Sequence, residues 1–132
     1  MALQYSTTLR NNQVDQIEST IGSAPKLRIL TGSPPANCAS AQTGTLLVEI
    51  TLPTDWLAPA SGGTVSKNGT WSATASASGT AGYFRIVDAS GTTCHMQGTV
   101  GTSGADMTID NTSINSGQTV TVTSFSITAG NA

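Results

Sequence analysis

Residues 45–52 read Thr45-Leu46-Leu47-Val48-Glu49-Ile50-Thr51-Leu52. Successive side chains of an extended chain point to opposite faces, so Leu46, Val48, Ile50 and Leu52 share one face and Leu47, Glu49 and Thr51 the other. Pro53 has no N–H to give to a ladder and stops the run. The octet is the cleanest strand of the chain, and it sets the period for most of what surrounds it.

Toward the N-terminus the same period holds over 26–31. The stretch Thr31-Gly32-Ser33-Pro34-Pro35-Ala36-Asn37 between the two runs is a loop, because a double proline excludes a ladder strand. Further back the period changes. Tyr5, Leu9, Val14, Ile17 and Ile21 recur every three to five residues, which predicts a helix over about 6–21 with one thin apolar stripe. Asn11, Asn12, Asp15, Gln16 and Glu18 fall mainly on its other side. Ser6 or Thr7 caps its start, Gly22 takes the left-handed position past its end, and Pro25 forbids continuation. So thin a stripe suits a helix laid on the edge or one end of a β body, or docked on a partner chain.

Toward the C-terminus, 55–63 is irregular and holds Trp56, expected as a plug over one end of the core. Asn68-Gly69 predicts a hairpin or tight bend within 64–75. The Ala/Ser/Thr run 73–79 offers little to pack and reads as a weak edge. Residues 82–88 and 92–100 form a hairpin around Asp88-Ala89-Ser90-Gly91. Phe84 and Ile86 share one face of it, with Tyr83, Arg85 and Val87 on the other. In the returning strand Cys94, Met96, Gly98 and Val100 share a face. A short strand through Met107 and Ile109 follows, then a last one over 119–128. There Val120 and Val122 have one parity and Phe125 and Ile127 the other, which predicts a bulge near Thr123-Ser124 or a strand passing between sheets. Seven or eight short strands after one helix predict a mainly β chain: a two-layer antiparallel β-sandwich over about 26–129, jelly-roll or immunoglobulin-like, with one N-terminal α-helix. No repeat or linker divides residues 1–132, so they are expected to form a single domain.

Composition narrows the function classes. Only 9% of the 132 residues are charged, whereas 22 are Thr and 16 are Ser, so hydroxyls rather than charges solubilise the chain. Short hydroxyl side chains lose little entropy when they pack against a neighbour. The net charge is −2. The basic residues Arg10, Lys26, Arg28, Lys67 and Arg85 form no stripe, so no nucleic-acid partner is expected. No apolar run is long enough to span a membrane, and none is expected as a partner. The opening Met1-Ala2-Leu3-Gln4-Tyr5-Ser6 lacks the basic patch and apolar run of a secretory signal, which predicts synthesis and folding in a cytoplasm, with any release by lysis.

Residues that could carry chemistry are few. Cys94 and His95 are adjacent, but neighbours on a strand diverge, so a buried Cys beside a surface His is expected rather than a nucleophile and its base. Cys38 and Cys94 are the two cysteines, and the sequence leaves both a bridge and free thiols open. With His95 they do not supply a zinc spacing. Asp106 and Asp110 read as solvated acids of turns and edges, not as a hydrolytic pair. Asn68-Gly69-Thr70 and Asn111-Thr112-Ser113 match a glycosylation sequon that matters only on a eukaryotic secretory route. Trp56, Trp71, Tyr83 and Phe84 would have to be exposed to line a glycan surface, and core positions are expected for them. No catalytic, cofactor-binding or metal-ligating residue is assigned, no cofactor is expected, and the chain is read as a non-enzyme.

Several segments together resemble a family. Met1 through Asn11 followed by Asp15, Ile17, Ile21 and Gly22 is similar to the start of a small protein of tailed bacteriophages. So are Thr31-Gly32-Ser33-Pro34-Pro35-Ala36-Asn37-Cys38, Leu52-Pro53-Thr54-Asp55-Trp56, Gly79-Thr80-Ala81-Gly82-Tyr83-Phe84-Arg85, and the stretch from Thr123 to Ala132. The resemblance covers nearly the whole chain and implies a structural virion component. It carries no catalytic residue with it. The expected role is capsid decoration or cement, with the major capsid protein or other virion proteins as partners, a homo-oligomeric state, and the helix or the arm from Met1 to Tyr5 as docking element. The alternatives are a tail, head–tail junction or fibre-associated subunit, and a surface glycan- or receptor-binding module.

Overall fold

A computed structural model of the chain describes residues 3–129. Met1 and Ala2 of the expected docking arm, and the closing Gly130-Asn131-Ala132, lie outside the described residues. Helix α1 spans Thr7–Ile21, with Ser6 as its cap: the Ser6 hydroxyl accepts from Leu9 N at 3.1 Å. Gly22 follows at a positive φ of 94° and returns its N–H to the Glu18 carbonyl, as its position predicted. Nine strands follow among the described residues: β1 (Lys26–Thr31), β2 (Leu46–Thr51), β3 (Thr64–Ser66), β4 (Ser72–Thr74), β5 (Gly79–Val87), β6 (Cys94–Gly101), β7 (Met107–Ile109), β8 (Ser113–Ile114) and β9 (Thr119–Thr128).

The strands form one curled mixed sheet in the order β2-β1-β5-β6-β7-β9-β3, with β4 also on β9 and β8 on β5. The chain is mainly β with one N-terminal helix, as expected, but its sheet is mixed and curled into a half-barrel rather than plainly a two-layer antiparallel sandwich. Two features cause the difference. Residues 102–106 loop back so that β7 runs parallel to β6, through Val100–Met107 and Gly101–Thr108. Asp106 fixes that loop: its carboxylate accepts from Thr99 N at 2.9 Å while its own N–H donates to the Thr99 hydroxyl. The sheet then curls until its ends approach, and Ser76 N just past β4 donates to Leu47 O of β2 at 2.8 Å.

The bend at Asn68-Gly69 exists, but the hairpin does not. Strands β3 and β4 lie end to end along β9, pairing with its residues 126–128 and 119–121. They behave as one edge strand interrupted by a bulge, and Gly69 turns within it at a φ of +78°. The parity slip in β9 is a bulge at Thr123, since Ser124 pairs with Thr108 and Val122 with Ile109. The slip lets Val120, Val122 and Phe125 all be buried in the same core.

That core fills the concave side of the sheet. Trp56, Trp71, Phe125 and Phe84 run through it with ring centroids 6.0, 5.8 and 5.6 Å apart. Trp56 is fully buried, as a plug should be, and its indole N–H donates to Gly22 O at the end of α1. An aromatic N–H buried with a partner avoids the cost of desolvating it unpaired.

Candidate functional site

A polar row lies on the convex face, across the middle of the sheet. Glu49, Arg28, Arg85 and Gln97 are successive cross-strand partners on β2, β1, β5 and β6. Register alone puts the four side chains in one row on one face. The Arg28 Nε donates to Glu49 Oε2 at 2.8 Å, and the Arg85 Nε to Gln97 Oε1 at 3.2 Å. The Arg28 guanidinium, with Lys26 at 3.6 Å from the other oxygen, holds the Glu49 carboxyl below its ordinary value.

Residues 34–45 cross this face as a covering loop. Arg85 Nη2 donates to Asn37 O at 3.2 Å and Ser40 O at 2.6 Å, and reaches Cys38 O. Gln97 Nε2 donates to Pro35 O at 2.7 Å, and the Tyr83 hydroxyl accepts from Thr43 N and donates to Thr43 O. Leu30, Tyr83 and Val87 are buried beneath the loop, outside the concave core. Gly82 lies where β5 passes Gly32, and any side chain there would collide with the Gly32 carbonyl.

The loop is also tied covalently. Cys38 and Cys94 form a disulfide with Cα atoms 5.3 Å apart. A register shift makes it reachable: Ile86 pairs with Met96 but Val87 with Cys94, leaving His95 as the extra residue of a bulge. The expectation that Cys94 shares a face with Met96 is thus corrected. The bulge turns Cys94 to the convex side with Val87, while Met96 stays on the face of Ile86. His95 does diverge from Cys94, lining a groove against α1 on the far side.

A second polar construction holds the helix. Asn11, Asp15 and Glu18 are spaced at one helical turn, and each accepts a backbone N–H from the irregular segment 57–63. Asn11 Oδ1 takes Gly63 N at 2.7 Å, Asp15 Oδ1 takes Ala60 N at 3.1 Å and Glu18 Oε2 takes Leu57 N at 2.9 Å. Arg10 adds two bonds to Ala129 O, at 3.1 and 2.8 Å. Asn11, Asp15 and Glu18, expected on the side away from the apolar stripe, are docking groups. Desolvation raises the Glu18 carboxyl above its ordinary value, helped by Asp55 and opposed by the Leu57 N–H. Val14 and Ile21 are buried and Ile17 is partly so, while Leu9 is 45% exposed and belongs to no buried stripe.

Between α1 and β6 runs a shallow groove of about 340 Å³, lined by Gln13, Gln16, Ile17, Thr20, His95 and Met96. A second cleft, of about 310 Å³, opens beside the disulfide between residues 38–42 and the turn at Gly91-Thr92, with Arg28 and Arg85 in its wall.

The other residues singled out in the sequence are dispersed. Asp106 serves Thr99 and Asp110 accepts from Thr121 N at 3.2 Å, each in its own strand connection. Trp56, Trp71, Tyr83 and Phe84 are buried to within 1% and offer no aromatic surface. Among the described residues no three His, Cys, Asp or Glu converge as metal ligands, and no helix is long and apolar enough to cross a membrane. The convex row was missed in the sequence, although Tyr83-Phe84-Arg85-Ile86-Val87 carried a signal: bulky side chains at both parities mark a strand covered on both faces. Compared with family models, curated proteins and solved structures, the chain matches none.

Proposed function

We propose that the chain is a structural protein of a tailed-bacteriophage virion, a capsid decoration or cement protein that binds major capsid subunits and works through its surfaces rather than through a reactive centre. The reading rests on the resemblance that runs from the helix cap to the last strand. The architecture is consistent with it, because the segments that carry the resemblance have framework tasks: Ser6 caps α1, Trp56 closes the core, and Arg85 holds the covering loop. The surface also suits repeated contacts. Exposed positions are rich in Thr and Ser, which cost little entropy to immobilise. Leu3 and Leu9 are 68% and 45% exposed at the start of the chain, where the docking arm is expected. Many symmetric copies would let weak single contacts add up, with a homo-oligomer as the unit that binds.

A tail, head–tail junction or fibre-associated subunit is the second reading, and copy number separates it from the first. The glycan-binding reading loses its basis, since the aromatic residues it needed are inside. The test is to count copies in purified particles and to heat heads assembled with and without the protein. Hundreds of copies and a lower rupture temperature without the protein are expected. A dozen copies, or heads equally resistant in its absence, would overturn the decoration reading.

A further inference from the structure

The convex row leaves a cation short of a counterion. Arg85 is 5% exposed, yet among the described residues the ion pairs run to Glu49, from Lys26 and Arg28, and none reaches Arg85. Its Nε and Nη2 are taken by Gln97 and by three loop carbonyls. Its Nη1 makes no hydrogen bond among the described residues. No buried side-chain nitrogen or oxygen there lacks a partner, so Nη1 is the part of the guanidinium that meets solvent. Arg85 lines the 310 Å³ cleft, whose wall also carries Arg28, Ser40, Gln42 and Thr92. The acid next to this cleft in sequence, Asp88, is committed to its own turn: it accepts from Thr92 N at 3.0 Å and Ser90 Oγ at 2.8 Å, which draws its carboxyl down to about 2.

A buried guanidinium with neutral partners keeps its full charge, because arginine does not give up its proton. Carbonyl dipoles satisfy its hydrogen bonds without neutralising it, and an anion beside it would form charge-assisted bonds stronger than those. We propose that this cleft is a binding site for a small oxyanion, a carboxylate or phosphate group, held by Arg85 Nη1, with the Gln42 amide as a donor and with Arg28, which keeps its pair with Glu49, as a flanking cation that would turn its Nη groups from Gln42 Oε1 and Gly91 O to the anion. The disulfide and the 37–40 carbonyls hold the Arg85 fork in place, so the site is preorganised. The inference does not depend on the virion reading.

The test is an NMR titration of the oxidised full chain, labelled with nitrogen-15, at constant ionic strength set by sodium chloride. One arm adds inorganic phosphate and the other sodium acetate, following the Arg85 side-chain nitrogens and the amides of Ser40 and Thr92. Saturable shifts at these groups are expected in at least one arm, and the responding arm assigns the tetrahedral or the planar anion. Arg28→Gln, at a partly exposed position, is expected to weaken binding about tenfold, the worth of one charge-assisted contact. Shifts that stay linear, that match a chloride control, or that saturate elsewhere on the molecule would overturn the proposal. So would unchanged affinity in a folded Arg28→Gln variant.

Discussion

The helix and the 34–45 loop are both fastened to the sheet by polar groups, and they are fastened in opposite senses. At the helix, side-chain acceptors (Asn11, Asp15 and Glu18) collect the backbone N–H groups of Leu57, Ala60 and Gly63. At the loop, side-chain donors (Arg85, Gln97 and Tyr83) collect the carbonyls of residues 35–43. Each irregular segment leaves part of its main chain outside the strand ladders, and buried main-chain groups must be paired somewhere. The chain supplies acids and amides where N–H groups are orphaned, and a guanidinium, an amide and a phenol where carbonyls are. The first solution responds to pH. The second adds a covalent tie and responds to reductant.

Reduction is expected to give the largest separation between the two. The Cys38–Cys94 bridge spans 56 residues of sequence, and opening a loop of that size costs about 4 kcal/mol in a urea melt. Amide exchange should accelerate over 37–43 and stay unchanged over 57–63. Equal acceleration in both segments would show that they unfold as one unit and break the comparison.

Next comes Asn11→Ala, which leaves Gly63 N without its acceptor. A loss of about 1–2 kcal/mol in urea denaturation is expected, with faster exchange confined to 57–63, and Asn11→Asp should recover most of it by restoring an acceptor. A loss that spreads to the loop would contradict independent fastening.

The smallest effect is on pH. Glu18 is raised above its ordinary 4.5, so the native state holds a proton there that the unfolded chain has released. Its contribution is full below the unfolded value and lost as pH rises through the folded one. Glu49 is lowered from 4.5, so its contribution is present above the unfolded value and lost as pH falls through the folded one. Urea midpoints between pH 3 and 7 should therefore show Glu18→Gln flattening the descent on the higher side and Glu49→Gln flattening the acid limb. Each change should stay below about 1 kcal/mol, since both carboxyls are partly solvated. The same sign for both variants would sink the assignment.

Local signals were legible in the sequence. The bounds of α1, β1 and β9 follow from a serine cap, a glycine past the helix end, prolines and parity, all readable within a few residues. The Thr123 bulge was legible too, because two apolar pairs of opposite parity have to face one core. The parallel β6–β7 pair, the end-to-end β3 and β4 and the bulge at His95 were not. Each depends on which strand lies alongside, and that choice leaves no mark in the residues themselves. The polar site failed for a related reason. Asn11, Asp15 and Glu18 look solvated until the segment that needs their oxygens is in place, and Arg85 looks like a surface cation until the loop lies over it.

The way β9 serves its neighbours bears on the order in which the chain can fold. Strands β3 and β4 have β9 as their ladder partner and β7 has it on one side, and β9 follows all of them in sequence. From Thr64 onward those segments must wait until residues 119–128 arrive before the sheet can curl shut. Such distant pairing delays the reward for closing long loops, so this half of the molecule should be slow to fold and briefly vulnerable to aggregation, whereas the hairpin of β5 and β6 can form early.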